Sequence, residues 1–170
     1  MEKTNFDNEY LAFVIDDKTF AVPILSLQNV IGNPNIIPIS DSMDFVVGLC
    51  LTQDSKIPVL DLRTILNKPN AMHPNKTCVV VARVNFKGVE KSVGFIVDFL
   101  FNLYNIDKSE IKKLPHCDSN KFVESVTNQK DKMILMLNME NIINQRNVIR
   151  FLNHFWQVED KYASNTSRRN

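Results

Sequence analysis

The sequence predicts a mainly β protein built from small barrels and closed by a C-terminal α-helix. Three observations carry this. About nine or ten short apolar runs follow one another roughly every 8–12 residues, separated by turn residues, a pattern of barrels rather than of a βαβ sheet. Residues 77–84, with Val79, Val80 and Val81 in succession, are apolar on both faces, so both faces are expected to be buried. Only after Asn138 does the period change: Ile142, Ile149, Leu152, Phe155 and Trp156 fall on one helical stripe, with Asn138 placed to cap the helix.

Taken in order, residues 10–15 and 19–22 read as a hairpin turning at Asp16-Asp17-Lys18, and Pro23 ends the second strand because proline cannot donate to a ladder. Ile24, Leu27, Val30 and Ile31 fit a helical turn or an irregular strand. Residues 33–42, with Pro34 and Pro38, read as loop. Strands follow at 45–51 and 56–62, with the polar stretch 52–55 between them and a short turn at 64–66. The connector 67–76 carries Pro69 and Pro74 and reads as the boundary between two subdomains. Beyond it come strands at 77–84 and 91–97 around Lys87-Gly88, then 99–106, a short polar helix or turn at 107–113, and strands at 122–127 and 133–137. The expected organisation is one domain over 8–163. Subdomain 1 takes 8–68 plus the helix 139–158, subdomain 2 takes 76–138, and 164–170 is a disordered tail.

Length and composition narrow the function. The chain has 170 residues, 44% hydrophobic and 23% charged, and a formal net charge of +1. That balance is globular and lacks the basic surplus of a nucleic-acid binder. No run approaches the roughly 18 apolar residues of a membrane span. The start has no apolar segment of a secretory signal, and three widely spaced cysteines (Cys50, Cys78, Cys117) fit free thiols, so a cytoplasmic protein is expected. With only four glycines, neither GxxxxGK[ST] nor GxGxxG exists, and asparagine is expected to take some left-handed turn positions.

Catalytic and metal chemistry find no constellation. His73, His116 and His154 show no ligand spacing, and His116-Cys117 cannot chelate one ion comfortably from adjacent positions, so neither metal nor cofactor is expected. No GxSxG elbow is present. Asp61 and Asp98 each follow an apolar strand, where a carboxylate ordinarily caps backbone N–H groups. A catalytic reading would need one of them in a pocket beside His116.

The ordered motifs resemble the CheW family of chemotaxis coupling proteins. The resemblance runs through Phe20-Ala21-Val22-Pro23-Ile24, Leu27-Gln28-Asn29-Val30-Ile31, Ile57-Pro58-Val59-Leu60-Asp61-Leu62-Arg63 and Gly94-Phe95-Ile96-Val97-Asp98. It closes with Asp131-Lys132-Met133-Ile134-Leu135-Met136-Leu137 and Met139-Glu140-Asn141-Ile142-Ile143. The piece at 57–63 is the sharpest, nearly the family's Ile-Pro-Val-Ile-Asp-Leu-Arg. The resemblance implies two SH3-like five-stranded β-barrel subdomains around a shared hydrophobic core, without catalysis. It also implies a scaffold recruited to membrane-associated receptor arrays, bridging a CheA-type histidine kinase and the cytoplasmic tips of methyl-accepting chemoreceptors.

Three departures stand out. Leu51-Thr52-Gln53-Asp54 replaces the family's Asn-Leu-Arg-Gly, removing a cation and a permissive glycine from a turn that borders the receptor groove. Asn29 replaces an acidic residue, and Val123-Glu124-Ser125-Val126 stands where glycine-rich residues are usual. A dedicated receptor set, or a pilus-associated array, would account for such changes. On the receptor side the expected residues are Leu27, Val30, Gly48, Gln53 and Asp54, with Leu27→Lys expected to spare the fold. On the kinase side they are Phe99, Phe101 and Leu103, and Asp61, Arg63 and Asp98 are expected to be structural. The alternative is a small barrel binding another protein or nucleic acid; the basic doublets Lys112-Lys113 and Arg168-Arg169 are its only support.

Overall fold

A computed structural model describes residues 5–39, 43–68, 78–115 and 121–168, the side chains of 99–101 excepted. His73, His116, Cys117 and most of the 67–76 connector lie outside these residues. Twelve strands are present among them: β1 (Glu9–Ile15), β2 (Lys18–Pro23), β3 (Leu27–Gly32), β4 (Ile36–Pro38), β5 (Val46–Leu51), β6 (Lys56–Asp61), β7 (Cys78–Phe86), β8 (Val89–Val97), β9 (Phe99–Asn105), β10 (Lys112–Lys113), β11 (Val123–Gln129) and β12 (Lys132–Leu137). Helix α1 (Leu62–Ile65) follows β6, and α2 (Met139–Ile143) and α3 (Arg146–Ser167) close the chain.

The strands form two six-stranded sheets, one ordered β10-β11-β12-β2-β1-β9 and the other β3-β7-β8-β6-β5-β4. Each holds five substantial strands and one short edge piece, β10 or β4, which accounts for the difference from the five expected. The strands do not sort by halves of the chain as the 8–68 and 76–138 division expects. The first hairpin, β1 and β2, joins the sheet made by 99–137, and β7 and β8 join the sheet made by 27–61. Parallel pairing seals each exchange, β2 against β12 (Phe20 opposite Leu135) and β8 against β6 (Phe95 opposite Leu60).

Hairpin turns follow from local chemistry. Asp16-Asp17, Lys87-Gly88 and Lys130-Asp131 are two-residue turns with positive φ at both positions, the geometry whose twist matches paired strands. Asparagine takes left-handed positions at Asn33 (φ 52°) and Asn67 (φ 55°). Gly48 is obligatory for another reason: a Cβ there would lie 2.2 Å from the Ile37 carbonyl oxygen of β4.

Strand alternation builds three apolar layers. The shared core takes Leu11, Phe13 and Ile15 of β1, Val80 and Ala82 of β7, Val93, Phe95 and Val97 of β8, and Val148, Phe151, Leu152 and Trp156 of α3. The opposite faces of the same strands line each sheet's own curl: Tyr10, Ala12 and Ala21 with Ile134 and Met136 in one, Ile57 and Val59 with Val79, Val81 and Ile96 in the other. The helix predicted over 139–158 is two helices. Asn138 caps α2 through Asn141 N (3.0 Å), and Gln145 then caps α3 through Asn147 N and Val148 N. The supposed tail is helical through Ser167.

Candidate functional site

β3 and β9, the terminal strands of their sheets, flank a groove of about 510 Å³. Leu27, Gln28, Asn29 and Val30 of β3 line one side, Asn102 and Leu103 of β9 the other, with Leu11 and Ile24 completing it. Among the described residues no charged side chain lines this groove; Asn29 stands where the family carries an acid. Leu103 is 56% exposed in β9, and Leu25, next to Ile24, is also exposed. Two uncovered leucines beside an uncharged groove suit an apolar helix stripe: covering each would contribute about 1.5–3 kcal/mol.

Leu27 and Val30 line this groove together with Leu103 and not with Gly48, Gln53 and Asp54. Three strands separate β3 from β5 in their sheet. Leu27 is only 9% exposed, so Leu27→Lys would bury a charge and damage the fold, contrary to expectation. Gly48 is buried in β5. Gln53 and Asp54 form the exposed tip of the β5–β6 turn, which Thr52 and Ser55 pin: Thr52 N donates to Ser55 O (2.9 Å) and Ser55 N to Thr52 Oγ1 (3.2 Å). Neither tip residue has positive φ, so the turn does not require the family's glycine. Phe99 and Phe101 lie in β9, with side chains outside the described set. Leu11 was hidden from sequence reasoning because it reads as ordinary core; Ile24 and Asn102 could have been found only by knowing that β3 and β9 are neighbours.

Asp61, Arg63 and Asp98 converge at the end of β6. Asp61 Oδ1 accepts from Arg63 N (2.9 Å) and from Arg63 Nε (3.1 Å), capping α1 and gripping the guanidinium at once. Arg63 Nη1 donates to Asp98 Oδ1 (3.2 Å), and Asp98 Oδ2 accepts from Asp16 N (3.0 Å) in the turn of the first hairpin. Burial works against the Arg63 charge, but the hydrogen bonds and field of Asp61 and Asp98 outweigh it and push its pKa further up. Asp98 thus ties the end of β6 to the first hairpin of the other sheet, and Asp61 holds the arginine that reaches it.

A second cavity of about 510 Å³ sits against the sheet containing β1, with Lys108, Lys113 and Glu124 around Tyr10 and Met136. Burial, then the nearby Glu124 charge, push the Tyr10 hydroxyl pKa up. This charged surround distinguishes it from the β3–β9 groove.

Comparison with known proteins agrees with this geometry. Residues 9–147 match the family model described as CheW-like domain. The chain is 23% identical over 143 residues to chemotaxis protein CheW of Helicobacter pylori, covering 81% of this chain and 84% of that one. Against chemotaxis protein CheW of Thermotoga maritima it is 28% identical over 138 residues, covering 81% and 88%. The scaffolding protein TtCheW of Thermoanaerobacter tengcongensis superimposes with a TM-score of 0.72 at 20% identity, covering 82% of this chain and 94% of that structure. That likeness extends to two SH3-like barrels, which the two curled sheets form here. With most of its length inside the matched region, this chain belongs to the CheW-like domain family.

Proposed function

We propose that this protein is a non-catalytic scaffold that couples the cytoplasmic tips of methyl-accepting chemoreceptors to a CheA-type histidine kinase. The uncharged β3–β9 groove carries the reading: it is an apolar slot flanked by the terminal strands of the two sheets, fitted to an amphipathic helical tip. Leu27, Val30 and Leu103 grip the apolar stripe, and Gln28, Asn29 and Asn102 supply neutral hydrogen-bonding groups around it. Leu103 thereby moves from the kinase side to the receptor side. Phe99 and Phe101 of β9 remain the kinase-side residues. The exposed Gln53–Asp54 turn tunes the protein to a dedicated receptor set, such as that of a pilus-associated array. Among the described residues no helix is long and apolar enough to cross a membrane.

The test uses Leu103→Lys, whose side chain is already largely in solvent and whose replacement spares the core. Binding is measured separately to a receptor cytoplasmic fragment and to the kinase. The expected result is at least a tenfold loss toward the receptor with kinase binding unchanged. Equal receptor binding by the variant would remove the groove from the receptor interface, and failure of the unmodified protein to bind either partner would remove the scaffold assignment itself.

A further inference from the structure

The family match ends at residue 147, where α3 has only begun. Along this helix Val148, Phe151, Phe155, Val158 and Tyr162 recur at alternating three- and four-residue steps, the apolar seam of a helix that packs on another helix. Val148 and Phe151 are spent on the protein's own core and Phe155 is half-buried. Beyond Trp156 the helix runs on to Ser167, about 16 Å at 1.5 Å per residue, with almost every side chain exposed. Val158 is 37% and Tyr162 70% exposed, so the seam continues past the point where this protein can cover it.

Beside that seam lies a trough of about 310 Å³ between α3, the β5–β6 turn and β8. Phe155 is its partly exposed apolar side chain, with Ile57 and Trp156 buried beneath. Asp54, Glu90, Glu159 and Asp160 face Lys56 and Lys91 around it, an excess of two negative charges, and Lys91 is already held by Asp160 at 3.1 Å. A second copy of this chain brings the same excess with it, so pairing two such surfaces sets acid against acid. A partner that brings two cationic groups would balance the trough.

We propose that the outer half of α3 and its trough form a docking surface for an amphipathic helix of a partner protein. That helix lays its apolar stripe on Phe155, Val158 and Tyr162 and turns a flank of Lys or Arg toward Glu159 and Glu90. This surface uses residues other than those of the β3–β9 groove and shares only Asp54 with the turn assigned to receptor selection.

A photo-crosslinking residue, p-benzoylphenylalanine, introduced at Val158 in the full chain within native cells tests it, with the captured peptide sequenced. The expected product is a peptide from an amphipathic helix of another protein with net positive charge. Its yield should fall at least tenfold in Tyr162→Asp and in the double variant Glu90→Lys/Glu159→Lys, both of which change exposed or half-exposed side chains and should unfold at the unmodified temperature. Capture of a second copy of this chain, of an acidic or non-helical segment, or of lipid overturns the proposal. So does the absence of a product, or a yield indifferent to charge reversal.

Discussion

The two sheets are the same object with the chain cut in different places. Read from the edge inward, β4-β5-β6 then β8-β7-β3 matches β10-β11-β12 then β2-β1-β9: a short edge strand, a hairpin, a parallel seam, a second hairpin and a closing strand. One sheet uses consecutive strands, β3 to β8. The other starts at β9 and borrows β1 and β2 from the opposite end of the chain. Closing the second sheet therefore requires a long-range contact, so its integrity depends on what holds the first hairpin in place.

The ends of the two seams show how this difference is managed. At β12, Asn138 caps α2 with a neutral amide, and its Nδ2 donates to Glu124 at 3.0 Å. At β6, Asp61 does the same capping for α1 but as part of a charged cluster that continues through Arg63 to Asp98 and so to the amide of Asp16. Asp98 N also donates to Val14 O (3.1 Å), giving the borrowed hairpin a second tie. The charges stand where the sequential sheet must hold a strand pair it does not own.

Arg63→Ala breaks that asymmetry most severely. It leaves Asp61 and Asp98, both buried, without their guanidinium, and losing one partner of a buried pair costs about 3–5 kcal/mol. The guanidinium is largely shielded but not sealed, so the lower end, about 3 kcal/mol, is expected by urea denaturation. Because its pKa is raised in the fold, its contribution is complete at every pH below the ordinary arginine range and is lost only above it. The loss in Arg63→Ala should therefore be equal at pH 6 and pH 8; a pH-dependent loss would mean that another group titrates in the cluster. Hydrogen exchange should also speed up in the first hairpin before the β7–β8 hairpin. Uniform acceleration would show that the cluster is ordinary core and not a tie between sheets.

The linings of the two curls differ as well. Gly94 of β8 lies between Val59 and Val81, whereas Ala21 of β2 lies between Met136 and Ala12. A Cβ at Gly94 would come within 2.7 Å of Val79 Cγ1 and 3.3 Å of Val59 Cγ2. Branched side chains fill that curl from both sides, whereas the other mixes small alanines with flexible methionine and leaves room for a methyl. Gly94→Ala should cost about 2 kcal/mol from overpacking. Adding Val79→Ala should return part of that loss, a non-additivity seen in a double-mutant cycle. Strict additivity would mean that the two side chains never meet.

Most strands were legible from the sequence because alternation and turn chemistry are local. Val79, Val80 and Val81 announce a strand buried on both faces, and Lys87-Gly88 announces its turn. Which strand pairs with which was not legible: an apolar run records that a face is buried, not what covers it. The 10–22 hairpin therefore fell to the wrong sheet, and the same blindness set Leu103 apart from Leu27, since nothing local says that β3 and β9 flank one groove. Asp61 and Asp98 each stand out in the sequence as strand-end carboxylates that need donors. Their convergence on Asp16 joins residues 82 positions apart, which no spacing rule reaches.

The smallest expected effect lies at the neutral cap. Asn138→Ala removes the acceptor for Asn141 N and the donor to Glu124, yet α2 is one short turn whose Met139, Ile142 and Ile143 stay buried. An N-cap loss of about 1 kcal/mol is expected. Asn138→Asp restores the acceptor but sets a carboxylate against Glu124, so it should recover only part of the loss, and more in high salt as the repulsion is screened. Placing Asp at this position imitates the β6 end without an arginine to receive it. If Asn138→Asp proved as stable as the unmodified protein at low salt, the two seams would tolerate the same chemistry, and the charged cluster at Asp61 would owe nothing to the borrowed hairpin.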